Sequence, residues 1–146
     1  MEIDYNIRRI NAGDTSQLDQ FILSAGSSLD TFRYFQNRPY SVLENHLVTC
    51  LLMDENTPVG YGHLDKDSDT VWLGIAIAEG FEGIGLGKSI MDFLVYHAKS
   101  NRLSKVKLTV DDGNIPAIRL YEKFGFKSLG TLKERCLLME LEISYE

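Results

Sequence analysis

The run Ile75-Ala76-Ile77-Ala78, followed by Glu79-Gly80-Phe81-Glu82-Gly83-Ile84-Gly85-Leu86-Gly87-Lys88-Ser89-Ile90, constrains this chain more than any other feature. An apolar, β-branched stretch passes through a glycine-dense turn straight into a helical pattern. Strand, turn and helix must therefore follow one another without a linker. At such a junction the unpaired amides of the first helical turn converge, and the helix dipole adds partial positive charge. Gly83, Gly85 and Gly87 allow close approach to the backbone. The loop is read as a site for a phosphorylated cofactor.

Two nucleotide readings of the loop fail on spacing. Gly87-Lys88-Ser89 supplies the end of a Walker P-loop, but the opening glycine would fall on Glu82, whose carboxylate repels a phosphate. A dinucleotide fingerprint starting at Gly83 would place its third glycine on Lys88, and the loop lies mid-chain rather than opening a βαβ unit.

The spacing Glu82-Gly83-Ile84-Gly85-Leu86-Gly87 resembles the pyrophosphate loop of the GNAT N-acetyltransferase superfamily, Gln/Arg-x-x-Gly-x-Gly/Ala. Downstream, Asn114-Ile115-Pro116-Ala117-Ile118-Arg119-Leu120-Tyr121-Glu122-Lys123-Phe124-Gly125-Phe126 is similar to the second block of that family. The resemblance covers about residues 58–130 well and the N-terminal third weakly. One departure stands out: Glu82 replaces the usual Gln or Arg. Its charge predicts weaker diphosphate binding, which Lys88 could offset.

Composition sets outer bounds. At 146 residues, with 44% hydrophobic and 25% charged side chains, the chain suits one soluble domain over residues 1–146. Its formal net charge of −6 and lack of a basic run argue against nucleic acid as a partner. Cys50 and Cys136 lie in apolar runs and are expected as buried free thiols, with no metal site. Met1 to Ile10 carries Glu2, Asp4, Arg8 and Arg9 and does not read as a signal peptide. No apolar run approaches the ~18 residues of a membrane span. The expectation is a cytoplasmic protein without membrane partner, a monomer or homodimer.

Alternation and turn residues predict strands over 3–10, 46–53, 59–65, 70–78, 105–110, 126–132 and 135–143. Helices are expected from Asp14 or Thr15 to Ser24, around Ser41 to Asn45, from the glycine loop to Ser100, and over Asn114 to Lys123. The order βααβββαβαββ is that of a mixed α/β sheet flanked by helices, and it is the order the GNAT resemblance implies.

The resemblance implies an acyl transfer from acetyl-CoA to an amine, with coenzyme A held by the amides of Gly83, Ile84, Gly85, Leu86, Gly87 and Lys88. It further implies that Ile75, Ala76 and Ile77 pair their backbone with the pantetheine arm, with the Ile77 amide facing the thioester oxygen. Asn114 reads as the N-cap of its helix and, by the resemblance, as a contact to pantetheine or diphosphate, and the two readings are compatible. Tyr121 lies two helical turns further on the same face. It reads as a packing tyrosine or as general acid to the departing sulfur, and the second reading is preferred. For the base, His63, Glu44, His46, Asp111 and Asp112 are candidates, His63 first, because it lies on a strand beside the cofactor strand.

The acceptor pocket is expected from the N-terminal region. Phe32-Arg33-Tyr34-Phe35 is either a hydrophobic plug or a pocket wall in which Arg33 grips a phosphate or carboxylate. Tyr61, His63 and Trp72 would line the same cleft. The reading is an N-acyltransferase acting on a small-molecule amine such as an amino sugar or nucleotide-sugar. The alternatives are a protein N-terminal or lysine acetyltransferase and a non-catalytic acyl-CoA-binding module.

Overall fold

A computed structural model describes residues 5–145. The strands are β1 (Tyr5–Arg9), β2 (His46–Asp54), β3 (Thr57–Asp67), β4 (Thr70–Ile77), β5 (Lys105–Asp111), β6 (Lys127–Lys133) and β7 (Cys136–Glu142). The helices are α1 (Ser16–Ser24), α2 (Leu86–Ser100) and α3 (Ile115–Lys123), with 3₁₀ turns at Gly26–Asp30 and Tyr40–Asn45. All seven strands form one sheet in the order β1-β2-β3-β4-β5-β7-β6. Among the described residues only the pairing of β4 with β5 is parallel.

The mixed α/β order matches the expected one, with local differences. The short helix before β2 is 3₁₀ rather than α, and a second 3₁₀ turn occupies Gly26–Asp30, where the glycine and serines read as a break. Of the predicted first strand, Ile3 and Asp4 lie outside the described residues. Strand β3 starts earlier than predicted and includes Pro58, which stands opposite Met53 just past a register shift between Leu52 and Met53. That irregularity is where a residue without an amide hydrogen fits a ladder. Two-residue turns join β2 to β3 and β3 to β4, and Glu55 and Ser68 take the positive φ such hairpins need.

The sheet is covered on both faces. Val48, Cys50, Leu52, Leu64 and Leu73 pack with Ile90, Met91 and Leu94 of α2. Leu51, Met53, Tyr61 and Ala76 face Leu18 and Phe21 of α1. The helix α2 comes close to β3: a Cβ at Gly62 would lie 2.5 Å from Ile90 Cγ2. Alternation along β2 and β3 thus sends successive side chains into two cores. Both cysteines are buried and free, and burial pushes the Cys50 thiol up to about 12. No described helix is long and apolar enough to cross a membrane.

Between β4 and β5 the sheet parts. The two strands share one register pair, Trp72 with Lys107, and beyond it their C-terminal halves have no mutual pairing. Each half is held on its other side, β4 by β3 and β5 by β7. The parting therefore leaves an unpaired edge on a rigid strand.

Candidate active site

The parting opens into a cleft of about 820 Å³. One wall is β4. Ala78 N–H donates to the Val59 carbonyl at 2.8 Å, so the amide of Ala78 points toward β3. Amide and carbonyl of successive strand residues point to alternate edges. Those of Ile77 and Ile75 therefore point away from β3, into the parting, and both residues line the cleft with Ala76. The Ile77 carbonyl is already taken: Ser28 Oγ–H, from the first 3₁₀ turn, donates to it.

The floor is the glycine loop. Gly80, Gly83 and Gly85 have positive φ, and a Cβ at each would meet nothing within 4 Å. Gly85, at φ +91°, is the residue before α2, and no side chain caps that helix end. The first amides of α2 are thus directed at open space beside a backbone without side chains, which fits a diphosphate. Ile84 exposes its side chain to solvent, whereas Leu86 is buried.

Glu82 has partners the sequence did not reveal. Its Oε2 accepts from the Gly80 amide at 3.0 Å, and Ser28 Oγ lies 3.5 Å from Oε1. The carboxylate is turned back onto its own loop. Lys88 lines the cleft and is paired with Asp92 one turn on, at 3.1 Å.

The opposite wall is α3. Asn114 precedes its first turn but makes no side-chain capping bond, and it lines the cleft. It holds the N-cap position through its backbone, its carbonyl accepting from the Ile118 amide, without a side-chain cap. Pro116, Ala117, Leu120 and Phe124 join it, and no motif reading had singled them out as wall residues. Tyr121 is 6% exposed, packs on Phe126 and lines the same cleft. Burial alone pushes its phenol well above the ordinary value, so it is protonated at neutral pH.

On the α1 face, residues 31–38 lay aromatic rings over β3. The Phe32 centroid is 5.3 Å from that of Tyr61, and Tyr34 is 4.3 Å from His63. Of the predicted acceptor residues, Phe32 lines the cleft, while Arg33, Tyr34, Tyr61, Trp72 and the candidate base His63 are not among its lining residues. The hydroxyls of Tyr34 and Tyr61 also make polar contacts. Tyr34 donates to Asp65 Oδ2 at 2.7 Å, which leaves its oxygen to accept from His46 Nε2 at 2.8 Å. His46 Nδ1 then accepts from Thr49 Oγ1 at 2.7 Å. Burial lowers His46 to about 4, the charge of Asp65 opposing it in part. His63 is 2% exposed, bonds Tyr61 through Nδ1 at 2.7 Å, and burial holds its pKa well below the ordinary histidine value. Its Nε2 edge lies over Gly74, where a Cβ would come within 2.5 Å of it.

Arg33 grips a carboxylate, as its residue type suggested, but that of Asp111 in the same chain. Nη2 donates to Oδ1 at 2.9 Å and Nη1 to Oδ2 at 3.3 Å, while Nη1 also donates to the Asp30 carbonyl. The Asp111 bond raises the guanidinium pKa further.

The chain is similar to known proteins in sequence and in fold. The spermine/spermidine N(1)-acetyltransferase of Bacillus subtilis is 37% identical over 82 residues, 53% of this chain and 54% of that protein. A mycothiol acetyltransferase of Acidothermus cellulolyticus is 46% identical over 76 residues, 52% of this chain and 22% of that protein. The chain thus spans about half the length of the first relative and less of the second. Among solved structures, the PaiA N-acetyltransferase of Thermoplasma acidophilum in complex with coenzyme A superposes with a TM-score of 0.73 at 17% identity, over 96% of this chain and 99% of that one, a likeness of fold. The acetyltransferase (GNAT) family pattern matches residues 14–126, which include the parted sheet, the glycine loop and the α3 motif, and this chain therefore belongs to that family.

Proposed function

We propose that this chain moves an acetyl or other short acyl group from acyl-CoA to the primary amine of a small molecule, by direct transfer in a ternary complex. The observation that carries this reading is the unpaired edge of β4, which meets the open glycine loop and Tyr121 in one cleft. When bound, acetyl-CoA supplies the activated acyl group. The amides of Gly83 to Lys88 hold its diphosphate. The backbone of Ile75 and Ile77 pairs with the pantetheine as an added strand would, and the Ile77 amide is directed at the thioester oxygen. Asn114 contacts the same arm. Tyr121 holds the proton that the sulfur takes as it leaves.

His63 belongs to the acceptor side in this reading, in a role narrower than general base. Tyr61 is fully buried, and its hydroxyl proton goes to His63 Nδ1. The neutral ring then carries its proton on Nε2, where it donates rather than accepts. The acceptor proton leaves through solvent at the mouth of the cleft.

The relative named for spermine and spermidine makes a cationic polyamine the first acceptor to try, ahead of the amino sugar or nucleotide-sugar suggested by the aromatic pocket. The net charge of −6 is in keeping with that choice. We place the protein in the cytoplasm as a monomer or homodimer.

The test is free-thiol release from acetyl-CoA with a panel of spermidine, glucosamine, a nucleotide-sugar amine and peptides with a free N-terminus or lysine. Turnover confined to small amines is expected. Turnover confined to peptides moves the assignment to a protein acetyltransferase. Tight acetyl-CoA binding with no thiol release from any amine makes the chain a non-catalytic binding module.

A further inference from the structure

The parting of the sheet has two faces. The α2 face carries the glycine loop and α3. The α1 face is crossed by the Arg33–Asp111 pair. Arg33 follows Phe32, whose ring lies over β3, and Asp111 ends β5. Strand β4 lies between β3 and β5, so the guanidinium reaches across β4 at the level where β4 and β5 no longer pair. The contact is a two-bonded fork between groups 78 residues apart. Its side chains are 47% and 33% exposed. An ion pair so accessible to water contributes little to folding and is easily broken. It lies beside the cleft, since Thr31 and Phe32, the two residues before Arg33, line it together with the glycine loop and α3.

We infer that Asp111 is the carboxylate that receives an ammonium group of the acceptor, and that Arg33 is an internal cation occupying it until the acceptor displaces it. This rests on the acyl-transfer reading above, which brings an amine to the parting from the face that coenzyme A does not use. Such an amine meets the fork before it meets the β4 edge. A carboxylate–ammonium contact then replaces a carboxylate–guanidinium contact of the same charge, and residues 31–38 are released from β5. The device selects cationic amines over neutral ones, because a neutral amine has nothing to offer Asp111 in exchange for Arg33.

The test is steady-state kinetics with spermidine, which is cationic, and p-anisidine, which is uncharged at neutral pH. Arg33→Gln removes the internal competitor and should lower KM for spermidine about fivefold, with the effect on KM rather than kcat. Arg33→Lys should restore the wild-type value. Asp111→Asn should raise that KM by about tenfold or more, and adding Arg33→Gln to it should change nothing further. KM for p-anisidine should respond to neither change. A rise in the spermidine KM in Arg33→Gln, or equal changes for both amines, would make the pair a strap holding residues 31–38 and overturn the inference. If the wild type binds acetyl-CoA but acetylates neither amine, the acyl-transfer reading fails separately. Calorimetry of spermidine on the CoA-saturated protein then decides: tighter binding by Arg33→Gln supports the inference, and absent or unchanged binding overturns it.

Discussion

The two faces of the parted sheet are built from different materials. On the α2 face a ligand meets backbone, the glycine-loop amides and the edge of β4, beside a wall of α3 side chains. On the α1 face it meets side chains from residues distant in the chain: Phe32, Arg33, Tyr34, Tyr61, His63 and Asp111. A backbone site has a fixed shape and little freedom to vary, which suits a common acyl donor. A side-chain site can change residue by residue without disturbing the sheet, which suits a variable acceptor.

The largest effect should come from breaking the backbone site. Gly85→Asp places a side chain at φ +91° and a negative charge at the amides proposed to hold the diphosphate. Acetyl-CoA binding by calorimetry should be lost, whereas the circular dichroism of α2 should persist, since aspartate is itself a good residue before a helix. Unchanged affinity would remove the loop from the site, and binding of ATP instead of CoA would revive the P-loop reading.

Tyr121→Phe keeps the ring against Phe126 and removes one proton. Turnover should fall by ~10²-fold with acetyl-CoA affinity almost unmoved. Wild-type turnover would make Tyr121 a packing residue, and lost affinity would place its hydroxyl in ground-state binding.

The side-chain face should respond in stability. Gly74→Ala puts a Cβ 2.5 Å from His63 Nε2, between two paired strands. The ring must shift, at a cost of about 1–3 kcal/mol measurable by urea unfolding, with KM for the acceptor rising and that for acetyl-CoA unchanged. Equal loss for both substrates would show that the faces are not separable at this position.

Acid should loosen the same face. His46 is held neutral in the fold at about 4, below its unfolded value of 6.5. Between these values the unfolded chain binds the extra proton, so stability falls as pH drops from about 6.5 to about 4. His46→Gln should flatten that part of the curve. An unchanged slope would assign it to other groups.

The smallest effect is expected at Glu82. Glu82→Gln keeps an oxygen able to accept from Gly80 and removes the charge beside the diphosphate. Coenzyme A should bind more tightly by up to about 1 kcal/mol, less in high salt. Weaker binding would mean that the carboxylate is needed where it is, across Gly80 and Ser28.

Much of the cleft lining is legible in the sequence because its signals are local. The glycine spacing from Gly83 to Gly87, the apolar stripe Ile90-Met91-Leu94-Ala98 and the block from Asn114 to Phe126 each specify one element and the residue that ends it. What stayed hidden involves partners far apart. Ser28 on Ile77, Arg33 on Asp111 and Tyr34 on both Asp65 and His46 pair residues with no shared periodicity. The strand expected over 59–65 stops short of Pro58 because the bulge that admits a proline is a property of two strands.

By itself, then, the chain's order of residues determined the strands, the helices, the glycine junction and the family, since each rests on interactions within a few residues or on one turn of backbone. Only the tertiary structure decided where β4 and β5 part, that the Asn114 side chain is left free to line the cleft, that His63 lies beneath an aromatic layer and that Arg33 faces Asp111. The reason is physical: these outcomes depend on strand register and on which side chains meet across the sheet, and such meetings are set by the packing of the whole fold.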